Sequence, residues 1–337
     1  MSTPDQDLLE LGWRPYFSEQ LSPEERAQLQ PVRVMAVYRG KVALAGAAFD
    51  QLVAPKVPHA DPEEGQLAVG DWLLIDPGSF QISRILRRAS LFKRRAPGSA
   101  RALQLIAANV DTVFIVASCN QDFNLARIER YLILAREVGV RPIVVLTKQD
   151  LAETPDEFVQ AACSLQPGLD VAIIDGRDPE SAGSLASWCG VGETVALLGS
   201  SGVGKSTLIN TLRGSHSIAT QDVREADSKG RHTTTVREMH RLAHGGWLMD
   251  TPGMRELQLS DAAAGLADVF DDIVSLSQQC RFSDCAHRSE PGCAIRAALA
   301  EGTLQADRLQ RWEKLTAEDD SNTISIEQRR SRGRRQR

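Results

Sequence analysis

Thr194-Val195-Ala196-Leu197-Leu198 runs straight into Gly199-Ser200-Ser201-Gly202-Val203-Gly204-Lys205-Ser206-Thr207, and the chain continues as Leu208-Ile209-Asn210-Thr211-Leu212. An apolar strand, a glycine-rich turn and a helix in that order make a phosphate loop. The glycines let backbone N–H groups turn inward onto phosphate oxygens, and the helix that follows presents its positive end to them. Lys205 is placed to reach the β- and γ-phosphates of a nucleoside triphosphate, and the Ser206 hydroxyl to ligate magnesium. A glycine turn with an incidental lysine is the bland alternative, and the flanking strand and helix argue against it.

Working outward, further apolar runs alternate with helical stretches: Thr112–Val116, a helix over Asn124–Val138, Pro142–Leu146, Val171–Ile174 and Trp247–Met249. Continuous apolar strands separated by helices predict a parallel sheet covered on both faces. Asp250-Thr251-Pro252-Gly253 follows one of these strands, so the Asp250 carboxylate is expected at a strand's C-terminal end, on the magnesium side of the nucleotide. The Gly253 N–H is positioned to touch the γ-phosphate and report its loss. Between the two motifs lies Gly230-Arg231-His232-Thr233-Thr234-Thr235, which feeds a strand over Val236–Leu242. Thr234 is the threonine expected to complete the magnesium shell; the bland reading is that three β-branched residues simply begin the strand.

Base choice falls to Thr147-Lys148-Gln149-Asp150, directly after the strand Ile143–Leu146. A carboxylate at Asp150 accepts two hydrogen bonds, from guanine N1–H and the 2-amino group, whereas adenine lacks that donor pair. On this reading an adenine site leaves a buried carboxylate unsatisfied. The Lys148 stem lies along the base plane.

The rest of the 337 residues is organised around this unit. With 42% apolar residues the chain has material for two or three domains. Val32–Val37, Lys41–Leu44, Trp72–Asp76 and Gln81–Leu86 read as short alternating strands, which suggests an OB-like β-barrel over 31–100 after an extension over 1–30 with a short helix near Pro23 to Gln30. The nucleotide unit is expected over 101–262. A mostly helical segment follows over 263–318, with Leu304, Leu309, Trp312 and Leu315 on one helix face, and then a basic disordered tail over 319–337. No run approaches the length of a membrane helix, and the acidic start Met1 to Glu10 does not resemble a signal peptide, so a cytoplasmic chain without a membrane partner is expected.

Three cysteines, Cys119, Cys163 and Cys189, are scattered and read as buried thiols. The other three crowd with a histidine into Cys280, Cys285, His287 and Cys293, a C-x4-C-x-H-x5-C spacing. Three thiolates and an imidazole close a tetrahedral zinc shell with no open position, the structural arrangement for one ion. Free thiols are the alternative; a disulfide is disfavoured in a reducing compartment.

The net charge of −5 argues mildly against a general nucleic-acid binder, but it is unevenly spread. Arg84, Arg87, Arg88, Lys93, Arg94, Arg95 and Arg101 lie in a stretch without an acidic residue, and six arginines stand between Arg329 and Arg337. Both are candidates to neutralise RNA phosphates; a solvated face and a loose tail are the bland readings.

The base-reading element precedes the phosphate loop, whereas in ordinary small GTPases it follows, and a circular permutation accounts for the order. With a barrel before it and the cysteine cluster after it, the chain resembles the ribosome small subunit-dependent GTPase A family (RsgA). The resemblance rests on Gly199 to Thr207, Gly230 to Thr235, Asp250 to Gly253, and Cys280-Arg281-Phe282-Ser283-Asp284-Cys285-Ala286-His287. It implies an OB-fold, a circularly permuted GTPase domain, a zinc domain, and action in late maturation of the small ribosomal subunit with ribosome-stimulated hydrolysis of GTP to GDP. Its implied partners are the small subunit and its rRNA. A monomer is expected.

Three departures from that pattern matter. Thr147 stands where asparagine is commoner, which is expected to weaken the tie between base loop and phosphate loop. Ile174-Asp175-Gly176 replaces the usual Ser-Ala turn and leaves the contact to the guanine oxygen unassigned. Met254 stands where many GTPases carry a water-orienting glutamine, so slow intrinsic turnover is expected, with His232 as a candidate substitute once a partner positions it. A noncatalytic RNA-binding assembly module that uses nucleotide only as a conformational ligand is the alternative from a different class.

Overall fold

The computed structural model describes residues 4–58, 65–95, 103–214, 237–250 and 257–334. By its internal contacts the chain divides into two compact units, one formed by 1–123, 140–160 and 170–257, the other by 124–139, 161–169 and 258–337.

The first unit opens with helices α1 (Pro4–Glu10), α2 (Pro15–Ser18) and α3 (Pro23–Gln28). Ser22 and Glu25 cap α3 reciprocally, side chain to backbone N–H in both directions, so its four-residue signal was readable in the sequence. Strands β1 (Gln30–Tyr38), β2 (Lys41–Gly46), β3 (Phe49–Val53), β4 (Trp72–Ile75) and β5 (Ile82–Ile85) follow, paired antiparallel in the order β3-β2-β1-β4-β5. Alternate side chains Val32, Val34, Val42, Leu44, Leu73, Ile75 and Ile82 gather with Phe49 into one core. On the opposite face Trp72, Leu74 and Leu86 receive Leu8, Leu11 and Phe17 from the leading helices.

Strand β1 is long enough to join these strands to those of the nucleotide unit in one 11-stranded sheet. Its first half pairs with β4, a register shift falls between Val34 and Ala36, and beyond it Ala36 and Val37 pair with Glu238 and Arg237 of the nucleotide sheet. A bulge bends a strand and re-aims its edge, which is what this change of partner requires. Next comes a small hairpin, β6 (Leu91–Arg95) with β7 (Leu103–Ala108). The sequence reading missed it, because the alternation is carried by basic residues.

The nucleotide sheet holds β8 (Thr112–Ser118), β9 (Arg141–Thr147), β10 (Asp170–Ile173), β11 (Thr194–Leu198), β12 (Arg237–Arg241) and β13 (Trp247–Asp250), in the order β10-β9-β8-β11-β13-β12. All neighbours are parallel except β12 with β13. Helix α4 (Leu125–Glu137) connects β8 to β9, α5 (Pro155–Cys163) and α6 (Pro179–Gly183) flank β10, and α7 (Lys205–Arg213) follows β11. Counting from β11 as the first strand and returning through β8 gives the order 6-5-4-1-3-2. The chain leaves β11 toward one edge and β8 toward the other, so their carboxyl ends form the switch point where α/β sheets bind ligands.

A buried cation locks the opposite end of this sheet. Arg33 of β1 is 1% exposed, and its guanidinium donates to the Leu11 and Asn109 carbonyls and to Thr194 Oγ1 at 2.8 Å while lying over Trp72. Burial lowers its pKa to about 10, which leaves it charged at neutral pH. Thr194 begins the strand that carries the phosphate loop, so this network fixes that strand's root.

The second unit contains α4 together with α8 (Ala263–Val269), α9 (Asp271–Ser277), α10 (Ala294–Glu301) and α11 (Ala306–Arg334). α4 and α8 approach closely: a Cβ at Gly265 would lie 2.3 Å from the Ile133 carbonyl oxygen. Glu129 is fully buried on α4 and is paired by Arg311 at 2.6 Å and Arg308 at 3.2 Å. The tail expected to be disordered from 319 instead continues α11 as far as Arg334. As far as Thr323 the helix is anchored by side-chain contacts to the segment before and at the start of α8, which sequence periodicity does not reveal. Asp319 accepts from the Ala262 amide at 3.0 Å, Thr323 from the Asp261 amide at 2.9 Å, and Asn322 donates to the Leu259 carbonyl at 2.7 Å.

Candidate nucleotide site and metal centre

The phosphate loop leaves β11 with three glycines in backbone conformations that a side chain resists: Gly199 at φ 150°, Gly202 at φ 81° and Gly204 at φ 94°. A Cβ on Gly199 would lie 2.4 Å from the Val116 carbonyl oxygen, so the loop can lie against β8 only with glycine there. Helix α7 starts at Lys205 itself, and its first amides therefore face the loop. The Lys205 ammonium is folded back into the loop, donating to the Gly199 carbonyl at 2.8 Å and to the Ser200 carbonyl. These bonds hold the ammonium inside the phosphate loop.

The base-reading segment emerges from β9, which is separated from β11 by β8 alone. Thr147 is 2% exposed and its hydroxyl donates to the Val203 carbonyl inside the phosphate loop at 2.6 Å. The tie that this residue was expected to weaken is thus present. Gly204 packs beside Thr147 at ordinary contact distance, its Cβ position 3.5 Å from Thr147 Oγ1, so glycine is required there by its φ of 94° and not by space. Thr147→Val is expected to leave the Val203 carbonyl without its donor, costing about 1–3 kcal/mol and weakening GDP binding by about tenfold. Thermal melting and titration with GDP would check both.

Lys148 turns the chain at the strand end with a left-handed backbone, φ 57°, and Gln149 and Asp150 follow in a short 3-10 turn. Asp150 differs from the expectation of a buried carboxylate. Its side chain is 42% exposed and accepts a hydrogen bond from Arg177 at 3.1 Å. The loop after β10 therefore meets the base-reading segment, as the spacing had left open. That loop is pinned to the phosphate-loop helix: Thr211 Oγ1 of α7 donates to the Gly176 carbonyl at 2.7 Å.

Of the remaining expected nucleotide residues, Asp250 ends β13, opposite Glu238 of β12. His232, Thr234, Gly253 and Met254 lie outside the described residues.

The cysteine cluster is the second site. The ligand atoms of Cys280, Cys285, His287 and Cys293 all lie within 4.8 Å of one another. His287 Nδ1 stands 3.6 Å from both the Cys280 and Cys293 sulfurs, and these two sulfurs are 4.0 Å apart. A tetrahedral ion with thiolate and imidazole ligands needs about 3.8 Å between sulfurs and about 3.6 Å between sulfur and nitrogen. The donor set is therefore spaced to hold a metal ion. The Glu290 carboxylate gathers the amides of Ala286, Arg288 and Ser289 and fixes the turn that presents His287. Its own backbone amide first, and then those three, lower its pKa to about 2.

Comparison with known proteins decides the family. The family model described as RsgA GTPase matches residues 85–260. A small ribosomal subunit biogenesis GTPase RsgA of Mesorhizobium japonicum is 48% identical over 94% of this chain and 91% of its own length. The chain belongs to the RsgA GTPase family. A second relative, the small ribosomal subunit biogenesis GTPase RsgA 2 of Vibrio parahaemolyticus, is 47% identical over 97% of this chain and 90% of its own length. Among solved structures, YjeQ from Thermotoga maritima matches with a TM-score of 0.63 at 23% identity, covering 85% of this chain and 97% of its own. YloQ, described as a circularly permuted GTPase, matches with a TM-score of 0.61 at 21% identity, over 89% and 98%. The sheet order of this RsgA-family chain agrees with that permutation. An ABC transporter model also matches residues 187–337. It includes the phosphate loop, an element common to nucleotide-binding proteins, but not the guanine-reading segment.

Within this RsgA-family chain the expected RNA contacts divide. Arg84 and Arg88 each have intramolecular carboxylate partners. Arg84 forks onto Glu25 at 2.7 and 2.9 Å and onto the Gln20 carbonyl. Arg88 pairs with Asp71, which is fully buried, and removing such a partner leaves an uncompensated charge worth about 3–5 kcal/mol. Arg87 and Lys93 are exposed. Arg94 donates to Gln104 at 2.9 Å. The Arg95 side chain, Arg101 and the side chains of Arg329–Arg337 lie outside the described residues. No helix among the described residues is long and apolar enough to cross a membrane.

Proposed function

We propose that this chain is a GTP-hydrolysing switch that acts on the small ribosomal subunit during its late maturation, with hydrolysis stimulated by the subunit. The observation that carries the nucleotide-site reading is the bond from Thr147 to the Val203 carbonyl, which joins the base-reading and phosphate-binding segments, with Asp150 as the group that chooses guanine. Family membership and the names of the relatives support the ribosomal role.

In this reading Lys205 and the α7 amides hold the β- and γ-phosphates, and Lys148 and Asp150 hold the base. Ser206, Thr234 and Asp250 would hold magnesium, which supplies charge neutralisation at the phosphates when bound. Met254 lacks the amide of a water-orienting glutamine, so the basal rate is low and His232 takes that task when positioned by the bound ribosome. The cysteine cluster would hold zinc, whose preference for thiolate and imidazole in a closed tetrahedron suits this donor set.

The order β3-β2-β1-β4-β5 and its single core fit an OB-type barrel. We assign the extension to 1–30, the barrel to 31–100, the GTPase domain to 101–262 and the zinc-binding domain to 263–318. Arg87, Lys93, Arg94 and Arg95 are the barrel-side candidates for rRNA phosphates, and the protein acts as a cytoplasmic monomer.

Sedimentation with purified small subunits tests the ribosomal half of the proposal. Binding is expected with a non-hydrolysable GTP analogue and is expected to fall with GDP. Equal recovery with GTP analogue, GDP and no nucleotide would contradict a nucleotide switch.

A further inference from the structure

The loop after β10 carries an arginine for which the nucleotide reading above has no task. Arg177 Nη2 donates to Asp150 Oδ2 at 3.1 Å, and the same guanidinium straddles Asp175, with Nε to Oδ1 at 3.1 Å and Nη2 to Oδ2 at 3.2 Å. These bonds use Nε and Nη2 and leave Nη1 without an intramolecular partner among the described residues. The side chain is 65% exposed, so it is not held there by packing. Its backbone is nevertheless well fixed. Thr211 holds the Gly176 carbonyl, Asp175 accepts the Arg177 amide at 2.9 Å, and the Asp178 carboxylate caps α6.

We infer that the Arg177 guanidinium is the side-chain donor that reads the guanine carbonyl oxygen, beside Asp150, which reads the ring N–H and the 2-amino group. Guanine presents an acceptor oxygen directly beside that pair of donors, and arginine is a frequent partner of this oxygen in base recognition. The site offers the complementary order: a cationic donor bonded to the carboxylate acceptor. The backbone of the loop has little left to offer. The Asp175 amide is taken by Ser181 Oγ at 2.9 Å and the Arg177 amide by Asp175, which leaves only the Gly176 amide as a competitor for the task. Asp175 holds the guanidinium plane, so little side-chain freedom is lost when the base arrives. An exocyclic amine at the same position of the purine would set donor against donor.

The inference rests on the guanine reading of Asp150, and the test separates the two. Equilibrium titrations of the full chain compare GDP, inosine diphosphate, which keeps the oxygen and the N1–H and lacks the 2-amino group, and 2,6-diaminopurine riboside diphosphate, which keeps the 2-amino group but carries an amine in place of the oxygen and no hydrogen on N1. Arg177→Ala is expected to weaken GDP and inosine diphosphate by about five- to tenfold and leave the diaminopurine nucleotide within about twofold, so the preference for the oxygen narrows by that factor and what remains is the N1–H that Asp150 reads. Arg177→Lys keeps a donor and is expected to restore part of the lost preference. A general structural role would weaken all three ligands alike and overturn the inference. An unchanged oxygen preference in Arg177→Ala would overturn it by handing the contact to the Gly176 amide. Tighter GDP binding in Arg177→Ala would overturn it by making the arginine a competitor for Asp150. If the wild-type chain binds ADP as well as GDP, the guanine reading itself fails, which the wild-type titration alone reveals.

Discussion

Lys205→Ala is expected to lower GTP turnover by about a hundred- to a thousandfold, the loss seen when one strong donor to a developing negative charge is removed. The lysine sits inside the loop on the Gly199 and Ser200 carbonyls. A bound triphosphate brings negative charge to the loop in which that ammonium is held. Alanine removes the ammonium while leaving the glycine backbone and the α7 amides, which hold phosphate without it. Diphosphate binding should therefore suffer less than turnover. Single-turnover kinetics beside GDP titration would separate the two; a variant that hydrolyses GTP within about threefold of wild type would remove Lys205 from the phosphate site.

The second large effect concerns the metal centre. Cys280→Ser, Cys293→Ser or treatment with a chelator is expected to release the ion and unfold the segment from 280 to 293. A structural ion in a site of this type contributes about 10–16 kcal/mol in small domains, and little else holds these residues. Cys280, Cys285 and His287 are partly exposed, and the turn between them rests on Glu290 and on the bond from the Arg281 amide to the Gly292 carbonyl. Metal content and limited proteolysis would follow the loss, with GDP affinity expected within about twofold of wild type because none of these residues belongs to a nucleotide motif. A chain that stays protease-resistant after complete metal removal would contradict a structural ion.

Much of this was legible in the sequence because the decisive motifs are local. A phosphate loop needs consecutive glycines between a strand and a helix, and the metal cluster needs four donors within one turn-rich segment. Both survive any rearrangement of the rest of the chain. The permutation was legible too, since it is only an order of motifs.

What escaped was set by contacts between distant segments. The Thr147 hydroxyl reaches Val203, 56 positions away, and no local pattern distinguishes a sufficient threonine from a deficient one. Arg84 and Arg88 looked like a phosphate-binding patch because their acidic partners, Glu25 and Asp71, lie outside the stretch that was read. Arg33 looked like an ordinary strand residue, yet it is one of the most buried side chains in the chain. Arg177 carried no motif at all. Its role emerges only where the loop after β10 meets the end of β9.

The account's central claim is a guanine-specific hydrolase that waits for its ribosomal partner, and phosphate release tests it most directly. GTP and ATP are each supplied to the purified chain with and without purified small ribosomal subunits. The account predicts slow release from GTP alone, acceleration by at least about tenfold when subunits are added, and no comparable release from ATP. Equal turnover of ATP and GTP, or a GTP rate that subunits leave unchanged, would contradict it.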